Sequence, residues 1–117
     1  MQEQVQITFR GMQTSEAIEQ RVHELASRLG RLHQRIVRFH VTIEQPHQHQ
    51  KHGSPFGVRL HIGVPGREIV VDREGPQNPA HQDPYVALRD AFDAAARKLD
   101  DDAGRRGHRS YAPLRSH

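Results

Sequence analysis

The chain of 117 residues has no cysteine, which excludes disulfides and thiolate metal sites and agrees with a reducing cytoplasm. Lysine is scarce too: only Lys51 and Lys98 are present, so positive charge rests almost wholly on arginine. No apolar run approaches the roughly 20 residues a membrane span requires. The start, Met-Gln-Glu-Gln-Val, lacks the charged and then apolar pattern of a secretory signal. Hydrophobic residues make up 34% and mean hydropathy is -0.83, so one thin core and one domain are expected. Catalytic signatures are also missing. There is no HExxH and no GxSxG, and Gly11, Gly30 and Gly53 are isolated rather than part of a phosphate-cradling loop. Neither an enzyme, a cofactor nor a small-molecule substrate is expected.

What is present is a set of short periodic segments. Val37 to Ile43 alternates strictly, with Val37, Phe39, Val41 and Ile43 on one side and Arg38, His40 and Thr42 on the other. A strand with one dry and one wet face requires that pattern. Val5 to Arg10 alternates likewise and ends at Gly11. Phe56 to Val64 and Arg67 to Arg73 form a hairpin about Pro65-Gly66. Between the first two strands, Ile18, Val22, Leu25, Ala26, Leu29 and Leu32 make one helical stripe behind an N-cap at Thr14 or Ser15. Asp83-Pro84 opens a second helix, with Tyr85, Leu88, Phe92, Ala95 and Leu99 inward. This helix is expected to fade within Asp100-Asp101-Asp102, because acids are unfavourable at the negative end of a helix.

The resulting class is α+β: β-α-β-β-β-α, a four-stranded mixed sheet with two helices packed on one face. Residues 1–103 form the domain, and residues 104–117 form a basic tail expected to be disordered unless bound. The other sheet face is left polar, bearing Gln6, Thr8, Arg38, His40, Thr42, Arg59 and His61.

Two functional patterns stand against the ordinary reading of solvated surface. Ten histidines are present. His47, His49 and His52 share a loop, and His40 with His61 fall on one sheet face, which gives a histidine-rich, metal- or pH-responsive binding module as an alternative. No defined metal site is assigned. The arginines form the second pattern. Arg28 and Arg31 on the first helix, with Arg97 and Lys98 on the second and Arg105 and Arg106 beyond it, could make one basic surface for RNA phosphates. A net charge of +3 and a pI near 9.9 suit such a partner. Interleaved Glu19, Glu24, Asp90, Asp93 and Asp100 to Asp102 instead suggest helix-surface ion pairs such as Asp93 with Arg97, each contributing roughly 0.2–0.5 kcal/mol.

Val5-Gln-Ile-Thr-Phe-Arg-Gly11, Ser15-Glu-Ala-Ile18, Arg28-Leu29, Val41-Thr-Ile-Glu44 and Asp83-Pro-Tyr-Val-Ala-Leu88 with Arg97 and Leu99 occur in an order and spacing that resembles the ribosome hibernation-promoting factor family. Its members are also called ribosome-associated inhibitors or sigma-54 modulation proteins. The resemblance spans about residues 4–100. It implies a cytoplasmic, non-catalytic protein that binds the small ribosomal subunit and its rRNA and inhibits translation under stress or in stationary phase; weak homodimerisation is compatible with it. It puts Arg28 and Arg97 where the family has basic residues, and Tyr85 where a tyrosine packs the second helix to the sheet. Glu19, Leu25, Ala94 and Asp100 to Asp102 depart from that pattern, replacing basic residues common in the family.

Overall fold

The computed structural model describes residues 4–45, 56–73 and 83–111. Six elements follow one another: β1 (Gln4–Arg10), α1 (Glu16–Leu32), β2 (Arg38–Glu44), β3 (Gly57–Val64), β4 (Arg67–Arg73) and α2 (Pro84–Tyr111). The strands form one sheet in the order β1-β2-β3-β4. β1 pairs parallel to β2, whereas β2–β3 and β3–β4 are antiparallel. This is the α+β arrangement that the alternating segments predict.

Each helix starts where a side chain can satisfy its free amides. The Ser15 hydroxyl accepts from the Ile18 amide at 3.2 Å, and the Asp83 carboxylate accepts from the Tyr85 amide at 2.9 Å. Pro84 occupies the first helical position, where no amide is needed. Between β1 and α1 the chain turns at Gly11, whose φ is 70°. A Cβ there would lie 2.3 Å from the Gln45 carbonyl oxygen, and the same join is closed by the Gln45 amide donating to the Arg10 carbonyl at 3.0 Å. Only glycine fits both the conformation and the space.

Both helices cover one sheet face. Phe39, Val41 and Ile43 from β2, Leu60 and Ile62 from β3, Val22 from α1 and Leu88 from α2 are essentially sealed from solvent. Burying each such side chain contributes about 1.5–3 kcal/mol. Phe39 and Phe92 meet with ring centroids 6.2 Å apart, tying α2 to the second strand. Because β4 runs in the same direction as β1 and β2, the helix that follows it returns in the same direction as α1. The two helices therefore lie parallel and run toward the same end of the sheet, where His33 Nε2, just past α1, approaches Asp100 Oδ1 at 3.3 Å.

Besides Leu32, which closes the expected α1 stripe yet is 70% exposed, and Thr42, which lies on the expected wet face yet is 8% exposed, three sequence expectations need correction. Val37 is not an inward strand residue: it precedes β2 and is 40% exposed, and Ile36 takes the core position instead at 2%. Tyr85 is 42% exposed; at the first turn of α2 it precedes the buried stripe that begins at Ala87 and Leu88. The third concerns the end of α2, which continues past Asp100–Asp102 to Tyr111, into residues assigned to the tail. Asp102 is no solvated acid at a helix terminus. Its side chain is 8% exposed, and Oδ1 lies 2.7 Å from Arg67 Nη1 at the start of β4. With the helix end nine residues further on, the dipole no longer opposes the acid, and the ion pair holds it in place.

Candidate nucleic-acid interface

The arginines of the two helices come to similar depths because the helices are parallel. Arg28 lies as far along α1 as Arg97 lies along α2, and Arg31 follows one turn later. All three are exposed. The Arg31 guanidinium donates to the Ser27 hydroxyl at 3.1 Å, which steadies it without neutralising it. Arg97 does not pair with Asp93 among the described residues. The helix-surface pairs that do form are Arg21–Glu24 at 2.9 Å and Arg89–Asp90 at 3.4 Å. Arg28, Arg31 and Arg97 thus present charge to solvent, and α1 ends in that region, where its dipole favours cations.

Lys98 is placed differently. Its ammonium donates to the Val70 carbonyl of β4 at 2.7 Å, so it reaches the sheet edge beside α2. Arg105 and Arg106 belong to the α2 backbone, but their side chains lie outside the described residues.

Two of the three acids that break the expected run of basic residues on α2 have structural work. Asp100 meets His33 across the helix pair, and Asp102 holds Arg67. Sequence periodicity alone had no means of showing either pairing, since both join segments far apart in the chain.

The second face of the sheet is open, as the alternation predicts. Strand register sets its side chains in rows: Gln6, His40, His61 and Val70 in one, and Thr8, Thr42, Arg59 and Asp72 in the next. His40 Nε2 lies 3.1 Å from the Thr8 hydroxyl, and His61 Nδ1 lies 3.3 Å from Glu68 Oε2. The two imidazoles are neighbours, with centroids 6.4 Å apart and planes tilted by 47°. Arg59 is 3.3 Å from Asp72. Among the described residues no three histidines, aspartates or glutamates converge as a metal site would require. His47, His49 and His52 lie outside the described residues.

A mixed sheet covered on one face by two parallel helices, with Arg28, Arg31 and Arg97 exposed on those helices, defines an α+β domain. The chain belongs to the sigma 54 modulation protein / S30EA ribosomal protein family, whose model matches residues 5–106; this is a ribosome-associated, non-catalytic family. Two solved structures share the fold. A ribosomal subunit interface protein from Coxiella burnetii aligns with a TM-score of 0.70 at 16% identity, covering 86% of this chain and 98% of that one. The N-terminal domain of Protein Y from Thermus thermophilus aligns with a TM-score of 0.63 at 19% identity, covering 85% of this chain and 96% of that one. No curated protein matches the chain. Of the described helices, none is long and apolar enough to cross a membrane.

Proposed function

We propose that this protein is a cytoplasmic ribosome hibernation factor that inhibits translation by binding rRNA of the small subunit, without catalysing a reaction. The observation that supports this reading is the parallel helix pair, on which Arg28, Arg31 and Arg97 are exposed and form no ion pair with an acid among the described residues. Three guanidinium groups on a rigid support suit phosphate oxygens, because each offers a planar fork of donors. The support is also preorganised: caps, core and the Arg67–Asp102 pair are present before any partner arrives, so little ordering accompanies binding. Residues 1–103 supply the binding domain in this reading, and Lys98, Arg105 and Arg106 extend its charge along α2. The sequence of residues 104–117 continues basic to the end and lengthens the same contact.

Pelleting of ribosomes through a sucrose cushion tests the reading. The protein is expected in the pellet at low salt and in the supernatant as salt rises, with a linear dependence of log affinity on log salt. A protein that stays in the supernatant with ribosomes from both growing and starved cells overturns it. Isolated small and large subunits, run in the same way, assign the subunit.

A further inference from the structure

We infer that the open face of the sheet is a second RNA site, which holds one unpaired nucleotide on Arg38, His40 and His61. The inference rests on the RNA-binding reading but concerns the opposite side of the molecule. Its starting point is Gly63. A Cβ at this position would stand 2.9 Å from both Cγ and Cζ of Arg38 and 3.1 Å from Nε. The Arg38 side chain therefore lies along the sheet over β3, in a space that exists because residue 63 has no side chain. Lying there costs Arg38 rotamer freedom, yet its guanidinium gains no ion pair among the described residues.

The acids of this face nearest to Arg38 are occupied elsewhere, and Glu44 stands at the far end of β2. Glu68, opposite Gly63 in the strand register, approaches His61, and Asp72 approaches Arg59. Arg38 is thus a cation lying over β3 in the row next to two imidazoles, with no side-chain hydrogen bond or ion pair among the described residues. That charge complements a phosphate. The histidines supply what a phosphate site does not need. Each ring is fixed through one nitrogen, His40 by Thr8 and His61 by Glu68, while His40 Nδ1 and His61 Nε2 remain free of partners among the described residues. Half-exposed rings of this kind are stacking surfaces for a base, and their free nitrogens can meet its edge. Val70, level with His61 in the register and 40% exposed, adds an apolar shoulder. A double helix hides its base faces, so the occupant is an unpaired nucleotide in a loop, bulge or single strand.

Fluorescence anisotropy with two labelled RNA decamers tests this: one of adenines and one with the same sugar-phosphate chain but abasic. The full-length protein is expected to prefer the adenine decamer by on the order of ten-fold. His40→Ala and His61→Ala each remove most of that preference. Gly63→Ala leaves both histidines in place and displaces only the flexible Arg38 side chain, so it weakens both decamers together. Arg28→Ala with Arg31→Ala also weakens both, but leaves their ratio unchanged. Equal binding of the two decamers by the wild-type chain overturns the inference, as does an adenine preference that survives loss of both histidines. Displacement of the adenine decamer by polyglutamate at equal charge concentration would show a general anion surface and overturn it too. Ribosome pelleting separates the two ideas. A chain that pellets but does not distinguish the decamers keeps its helical RNA face and loses the sheet site. A chain that distinguishes them but never pellets keeps the sheet site and loses the ribosome.

Discussion

Arg67 Nη1 and Asp102 Oδ1 lie 2.7 Å apart, joining the first residue of β4 to the far part of α2. The carboxylate side chain is 8% exposed and the guanidinium 36%, so the pair is shielded on one side and wet on the other. Removing Arg67 leaves a nearly buried carboxylate behind, which costs more than an exposed pair is worth. Asp102→Ala, which strands the more exposed guanidinium, is expected to lower the unfolding free energy by about 2 kcal/mol. Arg67→Ala, which strands the buried carboxylate, should cost at least as much. The double variant should lose less than the sum of the two, measured by urea denaturation. Additive losses would mean that the two residues act separately.

Gly11→Ala should be as damaging at the other end of the sheet. The new methyl would meet the Gln45 carbonyl oxygen on a backbone whose φ is 70°. The substitution is expected to destabilise the fold by about 1–3 kcal/mol, read as a lowered midpoint of thermal unfolding. An unchanged midpoint would mean that the β1–β2 join can open at little cost.

The helical arginines should be distinguishable by salt. Arg97→Gln or Arg28→Gln is expected to flatten the log–log salt dependence of ribosome binding by about 0.7–0.9 for each phosphate no longer neutralised. Lys98→Gln should flatten it less, because the ammonium already serves the Val70 carbonyl. Equal flattening by Lys98→Gln and Arg97→Gln would show that the lysine leaves the sheet edge when RNA binds.

Core variants provide a control that touches no charge. Val22 is fully buried on α1, and Val22→Ala should cost about 1–2 kcal/mol through reduced burial and a small cavity. The salt dependence of binding should not change at temperatures where the variant is folded. A changed slope would mean that the helix spacing itself governs how many phosphates are reached.

The alternation of Phe39, Val41 and Ile43 and the capped stripes beginning at Ser15 and Asp83 made the elements and their order readable from sequence. These are local signals, written within a few residues. The end of α2 was not readable, because Asp102 is paired with a residue 35 positions earlier and local rules treat it as a solvated acid. Val37 failed for a related reason: the strand pattern fits it, but Ile36 reaches the core first. For the site, the kinds of residue were visible and their placement was not. Arg28 and Arg97 were legible as basic helix residues, whereas their common depth depends on helix direction. The turn of Lys98 toward Val70, and the resting of Arg38 on Gly63, are products of tertiary packing. An isolated strand glycine was the single clue to the latter, since it can mark close approach of another group.

The Lys98 contact bears on how copies of this chain coexist. β4 is one of the two edge strands of the sheet, and a bare strand edge is a template on which another chain can build. Here a charged side chain from α2 sits on one of its carbonyls. A second β4 brought alongside would have to displace that ammonium and would place another like charge next to it. Edge-to-edge pairing of two copies along β4 is therefore disfavoured.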